Sequence, residues 1–165
     1  MQLSTRTRYG VQAMVQLAAQ GGVQSLAALA AGQGISVAYL EQLFRALKRA
    51  GLVASVRGAG GGYTLNRSPA EISALQIVNA LEGSSAVSEC VSGAGDPCGR
   101  ACVCAARPLF LALQTGINGI LDGTTLAELA DGYNEQTARI RKIEAATAEN
   151  RRAATVARTK ESYAN

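Results

Sequence analysis

Residues 34–65, GISVAYLEQLFRALKRAGLVASVRGAGGGYTL, decide the fold of this chain. Ser36 stands as an N-cap ahead of Leu40, Leu43, Phe44 and Leu47, which recur at i, i+3, i+4 and i+7, and Gly51 follows the last turn. That pattern predicts an amphipathic helix whose apolar stripe is the packed face. Ser36, Ala38, Tyr39, Glu41, Gln42, Arg45, Lys48 and Arg49 are left toward solvent or a partner. Directly afterwards, Leu52 to Arg57 and Tyr63 to Leu65 read as two strands joined by Gly58-Ala59-Gly60-Gly61-Gly62. The hairpin tip carries Arg57 and almost no other side chain, so it can approach a partner surface closely.

Upstream, Val11, Met14, Val15 and Ala18 recur at helical spacing from Thr5 to about Ala19, and Gly21-Gly22 ends the run. Ser25 caps a short second helix, Leu26 to Ala31, which Gly32-Gln33-Gly34 is expected to terminate. Two helices joined by a tight glycine turn make a helix-turn-helix, and a basic hairpin after it makes a winged helix. In that architecture the second helix enters the major groove of DNA, while the hairpin reaches the backbone or the minor groove. A lone helix of this kind would more often carry a merely solvated polar face; the hairpin behind it favours the groove-reading assignment. The same glycines fail as a nucleotide-phosphate loop, because they lead into a strand with no Lys-Ser/Thr helix start behind them.

Downstream, Ser73-Ala74-Leu75-Gln76 is a capping-box pattern for a helix ending near Gly83. A Gly-rich loop spans about Ser84 to Ala106, and Pro108 then opens a helix with Leu109, Leu113, Ile117, Ile120 and Leu121 on one stripe beside Phe110. That stripe is either buried within one subunit or paired in a homodimer, and a reader of palindromic sites favours the dimer. Thr125-Leu126-Ala127-Glu128 starts a further helix, expected to be short and to end at Gly132. The fold class expected is mainly α with a small β-hairpin wing (α+β). Residues 1–67 form the DNA-binding lobe, 68–132 the cysteine-bearing loop with the dimerisation helices, and 133–165 a mobile basic tail whose last twenty or so residues are a mobile segment or a frayed helix.

Charge follows the same division. Residues 1–67 carry seven basic side chains against one acid, Glu41; residues 68–132 carry two against seven; the tail carries seven against four. A basic lobe beside an acidic one suits a nucleic-acid-binding part coupled to a different module. No apolar run is long enough to span a bilayer, and the N-terminus lacks a signal-peptide pattern, so the expected location is the cytoplasm.

The acidic segment holds all four cysteines, Cys90, Cys98, Cys102 and Cys104, within fifteen residues, and the chain has no histidine. Thiols clustered in a polar loop have no core to pack into, and cytoplasmic thiols are kept mostly reduced, which favours metal ligation or redox sensing over structural disulfides. Zinc knuckles usually present paired CxxC spacings, which are absent here. A structural zinc site and a cluster-free thiol or disulfide switch stay open as alternatives. Catalysis is not expected, since no nucleophile–base pair or nucleotide loop is present.

Residues 4–14, 34–44 and 51–58, with Gly60-Gly61-Gly62-Tyr63, resemble the winged-helix regulator family of the iron-sulfur cluster regulator IscR. The resemblance runs to about Gly132. It implies a homodimeric transcription regulator, repressor or dual, that binds double-stranded DNA at a palindromic operator and carries an iron-sulfur cluster (2Fe-2S or 4Fe-4S). It also places Ser36, Ala38, Tyr39 and Glu41 at the start of the recognition helix and Arg57, with Gly58 next to it, at the wing. Gln42 and Arg45 join them as DNA-facing candidates from the helix pattern. Glu41 can accept from a cytosine amino group, which makes it a discriminator between sites more than a source of affinity. For the cluster, Cys98 and Cys104 keep the family's five-residue gap, and Cys90 precedes Cys98 by seven residues. The family's fourth ligand is a histidine three positions after the last cysteine, where this chain has Arg107, a side chain without a lone pair to offer. Cys102 is the favoured substitute because thiolate is the usual ligand. Glu89, Asp96, a partner-chain group and an exogenous ligand remain open, as does a spectator role for Cys102.

Overall fold

The computed structural model describes residues 3–58, 60–92, 98–99 and 103–163, with side chains described to residue 144. Three helices open the chain: α1, Thr5–Gln20; α2, Leu26–Gln33; and α3, Val37–Arg49. Each begins at a serine whose Oγ accepts a first-turn N–H, Ser4 from Thr7, Ser25 from Ala28 and Ser36 from Tyr39, all at 3.2 Å. The turn between α2 and α3 corrects one expectation. Gly32 does not stop α2, which runs on to Gln33 and ends where Gly34 adopts φ 64°. A glycine inside a helix costs only about 1 kcal/mol, so the stop comes where the chain needs the left-handed conformation.

The wing is an antiparallel pair, β1 (Val53–Val56) and β2 (Gly62–Leu65), in register Val53↔Leu65 through Val56↔Gly62. Leu52 and Arg57 fall just outside the ladder, with Leu52 buried. Tyr63 fixes the wing to the helices twice. Its ring meets Phe44 edge-on at 4.8 Å between centroids, and its backbone exchanges hydrogen bonds with Gln24 at 2.8 and 2.9 Å. A Cβ on Gly62 would collide with the Gln24 carbonyl, so only glycine lets β2 approach the α1–α2 connection this closely.

Helix α4, Ala74–Glu82, starts with the expected reciprocal cap between Ser73 and Gln76 and ends at Gly83. Its Ile77 and Leu81 join Ile72, Met14, Leu17, Leu29, Leu40, Leu43, Phe44, Leu47, Leu52 and Leu126 in a single hydrophobic core. Each fully buried leucine or phenylalanine here contributes about 1.5–3 kcal/mol relative to exposure. Helix α5, Arg107–Gly123, carries Pro108 in its first turn and has no fully buried residue. Its far end is strapped to α4 by Ala74 N–H donating to Thr124 O at 2.9 Å, by Leu126 N–H donating to Ile72 O at 2.8 Å and by Ser73 Oγ donating to Asp122 Oδ1 at 3.1 Å.

Helix α6 departs from expectation. The Thr125–Glu128 capping box forms, but the helix runs from Leu126 to Tyr163 and passes through Gly132. Ala, Glu, Arg and Lys dominate the segment beyond that glycine, and strong helix formers outweigh its cost. Two compact units result, Met1–Ala130 and Asp131–Asn165. Among the described residues, no helix is long and apolar enough to cross a membrane.

Candidate DNA interface and cysteine loop

The α3 stripe is buried as its spacing requires, which sets the remaining side chains outward. Ser36, Ala38, Gln42, Arg45, Lys48 and Arg49 are exposed, and Glu41 is partly so. Tyr39 is half-buried, its ring edge-on to Tyr9 at 6.2 Å between centroids, so it packs α3 against α1 as well as facing outward. Glu41 accepts from Arg45 Nη2 at 2.8 Å, a salt bridge one helical turn long. The hydrogen bond and charge of Glu41 raise the Arg45 guanidinium above its ordinary value. Lys48 Nζ donates to Ser55 Oγ of β1 at 2.6 Å and ties the last turn of α3 to the wing. Arg57 and Gly58 sit exposed at the end of β1.

Arg8 belongs to the same surface, although the helix pattern of α3 could not point to it. Its guanidinium lies 5.6 Å from the Tyr9 ring, and Tyr9 in turn meets Tyr39 at the start of α3. The signal available in the sequence was a basic pair, Arg6 and Arg8, in the first turn of a helix otherwise without charge. Near this end, Glu82 accepts from the Ser4 N–H at 2.9 Å, and the buried Thr7 hydroxyl lowers the pKa of the same carboxyl. The Thr7 contact, the Ser4 contacts and the charge of Arg6 hold the Glu82 carboxyl below its usual value against the opposing effect of burial.

The described residues of the cysteine loop carry several polar ties. Cys90 lies in a 3-10 turn, Glu89–Val91, with Sγ 3.4 Å from Ser88 Oγ. Arg107, at the position of the family's histidine, donates from Nη1 to the Cys90 carbonyl at 3.3 Å. Cys90, Cys98 and Cys104 are half-buried and Glu89 is exposed, while Cys102 and Asp96 lie outside the described residues. Among the described residues, no three His, Cys, Asp or Glu side chains are gathered as a metal site. One residue sequence reading missed is Gln114 of α5. Its Oε1 accepts from Val87 N–H at 2.7 Å, and its Nε2 donates to Ser85 O at 3.3 Å and to Asn118 Oδ1 at 2.8 Å. A polar amide within an apolar helical stripe was the available signal. Beside it, Asn79, Ser84, Ser85, Gln114 and Asn118 line a pocket of about 500 Å³.

A helix-turn-helix with an outward cationic face, backed by a hairpin locked to its second helix, defines a winged-helix DNA-binding protein. The sequence pattern of the Rrf2 family, described as iron-dependent transcriptional regulators, matches residues 3–132, and the chain belongs to that family. It is 41% identical over 149 residues to the HTH-type transcriptional regulator IscR of Aliivibrio salmonicida, covering 88% of each chain. The structure of T. potens IscR is similar at TM-score 0.65 and 37% identity over 82% of this chain and 90% of that one. The oxidised form of Staphylococcus aureus CymR matches at TM-score 0.62 and 40% identity, over 79% and 96%. The chain is thus an IscR-like, DNA-binding transcription regulator and not an enzyme.

Proposed function

We propose that this regulator acts as a homodimer on a palindromic operator, with α3 from Ser36 to Arg49 in the major groove, the Arg57 wing on the backbone or minor groove, and an iron-sulfur cluster controlling the affinity. The observation that carries the cluster reading is the donor set: four thiols within fifteen residues of a chain that otherwise has neither cysteine nor histidine. Thiolates are the usual cluster ligands, and Cys90, Cys98 and Cys104 are half-buried in a polar segment, not sealed in the core. Cys102 completes the set. When bound, the cluster supplies an iron- and redox-sensitive centre on these thiolates.

The chain's own residues supply the transmission. Gln114 fixes the Ser85–Val87 backbone to α5, and Arg107 fixes Cys90 to the start of the same helix. At its other end α5 is tied to Ser73 and Ala74 at the start of α4, whose Ile77 and Leu81 lie in the core shared with α3. A rearranged cysteine loop therefore shifts α5, and α5 sets the spacing of two recognition helices if it is the dimer helix. Leu109, Leu113 and Ile120, which are 59, 47 and 71% exposed on one stripe, are apolar surface that a second copy would cover.

Anaerobic purification with iron, sulfide and zinc assays and a visible spectrum tests the cofactor. Iron with acid-labile sulfide and thiolate-to-iron absorption supports the cluster; stoichiometric zinc in a colourless protein rejects it. Cys98→Ala tests the control: unchanged affinity and site preference relative to cluster-loaded protein would remove the coupling. A second reading, a thiol switch without a cluster, is favoured by the similarity to a CymR structure in oxidised form. It predicts metal-free protein whose operator affinity responds to oxidant alone.

A further inference from the structure

Glu41 is the one acid among the first 67 residues, in a lobe with seven basic side chains, and it lies on the helix face turned outward. A carboxylate there meets an anionic partner and must find a donor or be repelled. The structure already provides one. Arg45 stands at i+4, in the favourable order with the acid N-terminal, and its guanidinium donates to Glu41 at 2.8 Å. This is the only ion pair among the residues whose side chains are described. Of the other α3 cations, Lys48 is engaged with Ser55 of the wing.

We propose that Arg45 sets how strictly Glu41 discriminates between operators, by giving the carboxylate an alternative partner wherever no cytosine amino group faces it. The inference rests on the reading of α3 as the groove-reading helix and deepens it. In water, the pair, with side chains 66 and 45% exposed, contributes little. Inside a groove, where water is displaced, an unpaired carboxylate is costly and a retained pair matters more. Opposite cytosine, Glu41 accepts from the base amino group. Opposite any other base, it falls back on Arg45, and the penalty for the wrong base is reduced. Arg45 thus broadens the set of operators the protein accepts.

The experiment measures dissociation constants for the full-length protein on a duplex selected by the wild type from a randomised library, and on copies with each contacted cytosine replaced. Glu41→Ala should flatten the ratio between the two duplexes. Arg45→Ala should widen it by about three- to tenfold, the scale of one partly desolvated ion pair; Arg45→Lys should restore most of the wild-type ratio; and Arg45→Ala in the Glu41→Ala background should leave the ratio flat. An Arg45→Ala protein that binds both duplexes more weakly by the same factor would make Arg45 a plain phosphate contact and overturn the inference, with the role of Glu41 intact. A ratio widened even without Glu41 would also overturn it. If Glu41→Ala leaves the ratio unchanged, the reading of Glu41 itself fails.

Discussion

The α3–wing region and the cysteine loop with α5 are held together by opposite means. Around α3, Leu40, Leu43, Phe44 and Leu47 are essentially sealed from solvent, and the wing is locked to them through Tyr63. Among the described residues the cysteine loop is tied by hydrogen bonds from Gln114 to Ser85 and Val87 and from Arg107 to Cys90, and α5 buries none of its side chains completely. A packed core resists small displacements, whereas a few half-exposed polar ties exchange partners at little cost. The first region is built to present a fixed surface. The described ties of the second are few and half-exposed, which suits the sensing role proposed for it.

The largest effect should come from attacking the rigid side. Phe44→Ala removes a fully buried ring that supports Tyr63 and with it the wing. The expected loss is about 3–5 kcal/mol in thermal or denaturant unfolding; a loss below about 1 kcal/mol would mean that the reader is no more rigid than the sensor. Next comes the exposed stripe. Leu113→Asp with Ile120→Asp changes side chains that are 47 and 71% exposed, so the fold should survive while a dimer formed through α5 should not. Sedimentation should show monomer, with operator affinity reduced by about a hundredfold or more, as a half-site reader loses its partner. An intact dimer would place the interface elsewhere.

Most helix starts were legible in the sequence because they are written as a local chemical event, a Ser or Thr oxygen accepting a first-turn N–H, at Ser25, Ser36, Ser73 and Thr125, while α5 was marked by Pro108. Helix stops were read less well. Gly32 and Gly132 look like terminators, yet neither residue has a positive φ, and α2 and α6 continue through them. Glycine permits a stop without demanding one. The outward side of α3 followed from its buried stripe, but the place of Arg8 beside it did not, because that depends on the Arg8–Tyr9 contact and on the Tyr9–Tyr39 contact between α1 and α3. Gln114 escaped for the same reason: its partners lie 27 and 29 residues away in a loop without periodicity. An apolar stripe such as that of α5 looks the same in sequence whether it is covered by its own chain or by a second copy.

A smaller change should separate loop order from global stability. Gln114→Ala removes the ties to Ser85 and Val87 but touches no core residue, so global unfolding should shift by no more than about 1 kcal/mol. Amide exchange at Val87 should accelerate by about tenfold. Equal effects on both would show that loop and core unfold together, and the contrast between the regions would fail. On the DNA side, Arg57→Ala should lower affinity on all sequences alike and reduce the salt slope by about one; an unaltered slope would take Arg57 off the list of phosphate contacts.

The smallest effect concerns the contact between α1 and α4 at Glu82. Its carboxyl is held below the ordinary value, chiefly by the Thr7 hydroxyl, with the Ser4 contacts and Arg6 adding to this. A group whose folded-state value is depressed contributes stability above its unfolded value, about 4.3 for glutamate, and loses that contribution as pH falls through the lower folded value. Glu82→Gln keeps an acceptor for the Ser4 N–H but not the charge, so at neutral pH it should lower the melting temperature by about 2–4 °C. The gap between wild type and variant should stay constant down to about pH 5 and close as the solution is acidified below the unfolded value. A gap that persists undiminished at about pH 2 would mean that the carboxylate's charge is irrelevant and only its shape matters at this junction. Because the Ser4–Glu82 contact belongs to the rigid region, the same substitution should leave amide exchange at Val87 unchanged.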